Sequence, residues 1–216
     1  MLLINTEVKE NLKLPYLALL VGMFAISTSA ILIRYSNSEP LVIGTYRQAF
    51  ATLAFLPFIF KDRGAEISSQ SNSTLLEMAL TGILLGAHFS FFITSVKETS
   101  VAASVLLATC HVVYVAILGK IFFGETLSKK AIIGTTIALG GILVLFGGDL
   151  IDNPGNFKGN FYAFVAGVLA GLYYLSGRKL RRTISLPTYA FVVYFFSFIS
   201  MFTVVLIQNL NYENLP

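Results

Sequence analysis

The sequence predicts an all-α polytopic membrane protein, and two observations carry this prediction. Of the 216 residues, 56% are hydrophobic and 12% are charged, whereas soluble domains contain about 45–50% apolar and about 25% charged residues. The apolar residues also form seven stretches, each about as long as the twenty residues that a helix needs to cross a bilayer. The stretches cover residues 16–33, 42–60, 75–96, 101–123, 131–148, 161–177 and 188–207. This composition excludes a water-soluble domain.

The first stretch and the lone cysteine narrow the class further. Residues 17–33 form one uncharged, mostly apolar run, unlike the alternating strands of a membrane barrel. The stretch follows Lys9 and Lys13 but is too long for a signal peptide, and further stretches follow it, so we interpret it as a retained first helix. Cys110 lies inside a predicted helix and has no second cysteine to pair with.

The basic residues predict the orientation. Only Arg34, Lys97 and Lys158 lie in the loops on one side, Arg47 lies inside a stretch, and the other eleven of the fifteen lie on the opposite side. The positive-inside rule therefore predicts a cytoplasmic N-terminus. The membrane is expected to be the cytoplasmic membrane of the cell. Because these charges lie in loops between spans, they report topology and do not indicate a nucleic-acid partner.

Two sequence signals predict where helices begin. Thr74 is followed three residues later by Glu77 just before an apolar run, which predicts a capping box at the start of the third helix. Pro40 and Pro187 fall at or just before the first turn of a helix, where a missing amide hydrogen costs nothing.

A similarity between two segments of the sequence predicts an internal repeat. Residues 20–34 resemble residues 165–179, with glycine, alanine and a closing basic residue in matching places. The unit would be five helices long, and an odd number makes the second copy enter the membrane from the opposite side, as in many secondary transporters. The predicted parts are a cytoplasmic segment at 1–13, a complete five-helix repeat at 14–150, the first two helices of an inverted second repeat at 158–210, and a tail at 211–216.

Eight segments of the sequence carry a family pattern: residues 31–34, 46–47, 87–89, 99–104, 112–128, 133–134, 140–141 and 147–149. The most specific is the Gly-Glu segment that starts at Gly124. Together they resemble EamA-type transporters of the drug/metabolite transporter superfamily. The resemblance implies ten helices in two inverted halves, both ends cytoplasmic, and export or exchange of small metabolites.

Two departures from the family pattern stand out. Members often carry a proline in the fourth helix where this sequence has Val112, which puts the kink of that helix in doubt. Helices eight to ten have no counterpart, so we expect a fragment of a ten-helix transporter, with the tail as the truncation point.

Two histidines lie deep inside the spans, where ionisable groups cost about 2.5–3.5 kcal/mol on insertion scales. His88 and His111 lie about 12 and 15 Å from their shared outer loop at helical rise. Their similar depth on successive helices predicts that they face a cavity near the midplane, with Tyr114 one turn from His111. The alternative is a pair of neutral histidines whose hydrogen bonds are satisfied within the bundle.

Arg47 and Ser27 complete the predicted substrate-binding set. Arg47 lies about 8 Å below the outer surface at helical rise, where it either snorkels to water or attracts anionic solutes into a vestibule. Tyr46 points about 100° away from it. Ser27 either lines the path or forms interhelical hydrogen bonds.

Other residues are predicted to be structural. Glu125 is interpreted first as a turn residue whose ion-pair partners are the nearby Lys129 and Lys130. Two Gly-x-x-x-Gly pairs predict close helix contacts, and a group of tyrosines predicts, in part, an interfacial belt. The glycines are Gly82, Gly86, Gly167 and Gly171, and the tyrosines are Tyr173, Tyr174, Tyr189 and Tyr194.

The leading functional hypothesis is a secondary transporter of small polar metabolites, such as an amino acid, that works by alternating access. The alternative is a seven-helix receptor-like or structural membrane protein, although residues 188–207 contain no lysine for a retinal Schiff base. Zinc-protease and serine-hydrolase motifs are missing from the sequence, so we expect neither an enzyme nor a cofactor or metal. The partners are the lipid bilayer and the solute; proton coupling and a homodimer stay open.

Overall fold

The computed structural model describes residues 13–60 and 64–210, and all regular structure within these residues is helical. This confirms the all-α prediction for the described part. The predicted N-terminal segment up to residue 12, Lys61, Arg63 and the predicted tail lie outside it. The helices are α1 Lys13–Tyr35, α2 Pro40–Phe58, α3 Gly64–Ser68, α4 Asn72–Glu98, α5 Val101–Thr109, α6 His111–Phe123, α7 Lys129–Asp152, a 3-10 turn Pro154–Asn156, α8 Phe157–Leu180 and α9 Leu186–Ile207.

Five helical segments of the described chain are long and apolar enough to cross a membrane. They are α1, α4, α5 and α6 taken together, most of α7, and α9. The other two long helices carry polar residues along their length, Arg47 and Gln48 in α2 and Lys158 and Asn160 in α8. Seven spans therefore stay a prediction, supported at five positions.

Helix α8 lies at the centre of the bundle. It packs along α4 more extensively than any other pair of helices and also contacts α5 and α6, while α9 packs against α4 and α2. The predicted glycine contacts are confirmed on both sides. A Cβ at Gly82 would lie 2.6 Å from the Val193 carbonyl oxygen of α9, and one at Gly167 would lie 2.8 Å from the Leu107 carbonyl oxygen of α5. These backbones approach closely only because the glycines have no side chain.

The predicted fourth helix is interrupted at Cys110, between α5 and α6. The Val113 amide donates to the Cys110 carbonyl at 2.9 Å, a three-residue step where an α-helix takes four. Nδ1 of His111 lies 3.4 Å from the Ala108 carbonyl oxygen. The helix is therefore irregular here although Val112 replaces the proline that the family often has, and Val112 itself points outward, 68% exposed.

The start of α4 corrects one prediction. Ser71 is the N-cap, and its hydroxyl accepts a hydrogen bond from the Thr74 amide at 3.2 Å. The capping box with Thr74 as N-cap is therefore wrong, because a better-placed serine starts the helix three residues earlier. Glu77 instead reaches α8 and contacts Lys179 at 2.9 Å. The predictions for Pro40 and Pro187 are confirmed, since both lie in the first turn of their helices.

Candidate functional site

Arg47 of α2 turns into the bundle. The centre of its guanidinium lies 4.9 Å from the centroid of the Phe89 ring of α4. Its Nη1 atom is buried and has no hydrogen-bond partner among the described residues. Tyr46, the next residue back, is exposed on the outside of the bundle, as predicted. This geometry does not fit the interpretation in which the guanidinium snorkels to water at the outer surface.

His88 is fixed by the neighbouring helix. Its Nδ1 lies 2.8 Å from the Ala166 carbonyl oxygen of α8. Its ring stacks parallel to Phe92 at an interplanar angle of 7° and meets Phe89 edge-on at 4.9 Å. A carbonyl oxygen only accepts, so this contact places a hydrogen on Nδ1 and leaves the Nε2 lone pair of the neutral ring directed elsewhere.

His111 approaches the same central helix from the other side. Its imidazole stacks on Tyr174 of α8, with 4.6 Å between the ring centroids. Arg47 and His88 both contact the Phe89 ring of α4, and His88 and His111 both contact α8. These contacts link Arg47, His88 and His111, which come from three different helices. We call these three residues the polar cluster.

Aromatic residues that the sequence did not assign to the site surround this cluster. Tyr194 of α9 interacts electrostatically with Arg47 and stacks on Phe55 at 5.8 Å. Tyr173 packs against Tyr174 at 5.1 Å, and Tyr189 is only 5% exposed. The belt interpretation is therefore wrong for Tyr189, which belongs to the packed core. For Tyr194, the sequence did contain a signal of a position inside the bundle. It is the ninth residue of its helix, which is too deep for a belt at the level of the headgroups.

Two further predicted site residues lie differently. Tyr114 faces α8, as His111 does, and its ring fills the surface left by Gly167 and Gly171. Its hydroxyl is buried without a partner among the described residues. Ser27 is on the exposed side of α1, where its hydroxyl donates to the Met23 carbonyl at 2.9 Å. The structure does not bring Ser27 to the polar cluster.

Three carboxylates hold the predicted cytoplasmic end together. Glu66 of α3 accepts from the Ser185 amide at 2.8 Å and from the Thr188 hydroxyl at 2.6 Å, so it caps α9 in place of a local side chain. Glu77 contacts Lys179. Glu125 lies 2.5 Å from a guanidinium nitrogen of Arg178, so it has an ion-pair partner, but that partner is on α8 and is not one of the nearby lysines.

At the opposite end of the bundle, hydrogen bonds join α1 to α4 and the residue after α4 to α8. Arg34 of α1 donates to the carbonyls of Val96 at 2.9 Å and Lys97 at 2.7 Å, near the C-terminus of α4. A cation at this place also interacts favourably with the helix dipole. Asn160 of α8 is fully buried and accepts from the Thr99 hydroxyl at 2.8 Å.

Negative charge is confined to the ends of the bundle. The acidic side chains that the structure describes lie at helix ends or in α3, and none touches the polar cluster. Within the described residues, no group of three or more histidine, cysteine or acidic side chains could hold a metal ion. The acidic residues concerned are Glu39, Glu66, Glu77, Glu98 and Glu125. The polar cluster is therefore a positive site between two ends that contain both signs of charge.

Comparison with known proteins agrees with this architecture. Residues 13–147 match the model of the EamA-like transporter family. The chain belongs to the EamA-like transporter family. This family consists of transporters and not of enzymes, and the chain is a multi-pass integral membrane protein.

Two curated relatives are similar to the chain. An uncharacterized transporter of Archaeoglobus fulgidus is 28% identical over 148 residues, which make up 68% of this chain and 51% of that protein. An uncharacterized transporter of Helicobacter pylori is 23% identical over 163 residues, or 74% of this chain and 52% of that protein. The chain thus spans about half the length of these relatives. No solved structure matches the chain significantly.

Proposed function

We propose that this chain forms the solute path, or part of it, of a secondary transporter that moves small polar metabolites across the cytoplasmic membrane. The single observation that carries the proposal is the polar cluster. Three ionisable side chains from three helices are costly at membrane depth, yet Arg47 and His88 contact the Phe89 ring inside the bundle and His88 and His111 contact α8. A transporter needs such groups because a polar solute must exchange its hydration for protein contacts inside the bilayer.

The proposal assigns roles to the predicted residues. His88, His111 and Arg47 bind the solute, and Tyr114 supports the wall of the path through its contact with α8. A role of Ser27 in solute binding stays a sequence prediction. It would require further protein to pack against the exposed face of α1, so that the two together enclose part of the path. Alternating access would require the paired carboxylates at the predicted cytoplasmic end to separate while the other end closes. Under this proposal α2 and α8 also cross the membrane, the N-terminus is cytoplasmic, and the two repeats are inverted.

Solute counterflow in proteoliposomes tests the function. Vesicles that contain the purified protein are loaded with unlabelled amino acids, organic acids or nucleosides and diluted into a trace of the same labelled compound. We expect transient accumulation of label for at least one solute class, strongly reduced in His88→Ala and His111→Ala. Leu143→Ala is the matched control because Leu143 is 72% exposed on the outside of α7. No accumulation above protein-free vesicles for any class would contradict the proposal.

A further inference from the structure

Arg47 is a half-buried cation with no acidic partner among the described residues. Its Nη1 atom has no hydrogen-bond partner among the described residues. The Phe89 ring attracts the charge through its π-face, but a ring has no oxygen lone pair to accept the N–H groups. A buried donor without an acceptor, and a buried charge without a partner, are both unfavourable. The Nη1 atom therefore lacks a hydrogen-bond acceptor, and the guanidinium lacks a negatively charged partner, among the described residues.

No acidic side chain in the described part of the chain lies close to Arg47. The acidic side chains in the described residues lie at the ends of the bundle, where Glu66, Glu77 and Glu125 already have partners. Tyr194 interacts with Arg47 electrostatically, but a phenol is neutral near pH 7. His88 can only add positive charge. The local field around Arg47 is therefore positive and favours an anion.

The shape of the donor group narrows the kind of anion. A guanidinium presents its N–H groups in a planar fork that matches a carboxylate or a phosphate. Around it the wall is aromatic, with Phe89 against the guanidinium and the Phe55–Tyr194 stack beside it. Such a wall suits a ligand that combines one oxyanion group with an apolar or aromatic body.

We propose that the transported solute carries an oxyanion group, a carboxylate or a phosphate, and that Arg47 binds this group as its counter-charge. This inference rests on the proposed function, because it names the class of solute for the same path. It requires the Arg47 guanidinium to recognise charge and not merely polarity.

Three matched probes test the inference by binding. Benzoate, phenyl phosphate and benzamide share a ring, but only the first two carry an oxyanion. The purified protein in detergent is heated with each probe, and a thiol-reactive dye reports unfolding through Cys110, the one cysteine of the sequence. We expect benzoate or phenyl phosphate to raise the melting temperature, beyond an equal concentration of sodium chloride, while benzamide does not. The more effective of the two identifies the oxyanion.

Variants locate the effect. Because hydrogen bonds to charged groups are among the stronger ones, Arg47→Gln is expected to weaken binding of the effective probe at least about tenfold. Arg47→Lys keeps the charge and retains part of the binding. Arg182→Gln removes the same charge from an exposed loop residue and is expected to change nothing. The benzoate and benzamide comparison on the unchanged protein needs no variant, so it holds even if Arg47→Gln fails to fold.

Contradicting results differ for the two proposals. Equal effects of benzamide and the anions, or full binding by a folded Arg47→Gln protein, overturn the oxyanion inference. If counterflow occurs for neutral solutes only, the transporter proposal stands and this inference fails. If the anions bind through Arg47 but no solute shows counterflow, the binding site is supported and the transport function is contradicted.

Discussion

Helix α4 at the centre of the bundle and helices α1 and α7 at its periphery all contain glycine and are apolar enough to cross a membrane, but they pack very differently. In the most apolar window of α4, 39% of the residues are buried, compared with 11% in α1 and 6% in α7. A Cβ at Gly82 of α4 would meet the backbone of α9, whereas one at Gly140 of α7 would meet nothing within 4 Å. Apolar composition therefore identifies membrane helices but does not say which faces contact protein.

The polar cluster follows the same division. Arg47 contacts α4 across a helix interface, and His88 and His111 contact α8. On the outer helices, the hydroxyls of Ser27 and Thr136 donate to carbonyls of their own helix. The three ionisable side chains of the polar cluster therefore make contacts between helices, while these two peripheral hydroxyls are satisfied within their own helix. The following experiments test this difference, from the largest expected effect to the smallest.

Matched glycine substitutions should give the largest contrast. Gly82→Leu places a side chain where a Cβ alone would lie 2.6 Å from the Val193 carbonyl oxygen. We expect destabilisation of about 1–3 kcal/mol or more, since backbone cannot move aside as a flexible side chain can. Thermal unfolding in detergent measures the effect.

Gly140→Leu is the control for this substitution. The open space around Gly140 and the better helix propensity of leucine predict an unchanged or slightly raised melting temperature. Equal losses in the two variants would show that α7 is packed as closely as α4, contrary to the structure.

A buried hydrogen bond should give an intermediate effect. Asn160→Ala removes the acceptor of the Thr99 hydroxyl in a fully buried place. Leaving that donor unsatisfied is expected to cost about 1–3 kcal/mol in the free energy of unfolding. Ser27→Ala on exposed α1 should stay within about 0.5 kcal/mol. A loss at Ser27 as large as that at Asn160 would mean that the face of α1 is covered.

The exposed ion pair between Glu77 and Lys179 should contribute least. Their side chains are 43% and 60% exposed, and exposed pairs contribute about 0.2–1 kcal/mol. A double-mutant cycle with Glu77→Gln and Lys179→Gln should give a coupling energy in this range that falls as salt is added. A coupling well above 1 kcal/mol, or one insensitive to salt, would indicate that this end of the bundle is closed more firmly than the contact suggests.

The sequence predicts the helices better than their contacts. Long apolar runs and the positions of Pro40 and Pro187 suffice for the elements, because both reflect local physics. The glycine pairs were also predictable, since spacing by four puts both on one face. The cap of α4 was not, because Ser71 and Thr74 are both acceptable caps and only the structure shows which one the helix uses.

The site was predicted in part for the same reason. Depth alone identified His88 and His111, because an ionisable residue inside a span is conspicuous. The direction of Arg47 depends on the Phe89 ring of another helix, which no local pattern encodes. Tyr189 looked interfacial by its position near a helix start, yet the packing of α9 buries it.

Cysteine accessibility tests the central claim most directly, namely that the polar cluster lines a water-filled path. In a Cys110→Ala background, His88→Cys and His111→Cys are compared with Val144→Cys, which is 77% exposed on α7 and should face lipid. Proteoliposomes are treated with a charged, membrane-impermeant methanethiosulfonate reagent, and labelling is measured by mass spectrometry. The account predicts labelling at positions 88 and 111 and none at 144; protection of both central positions from either side of the membrane would contradict it.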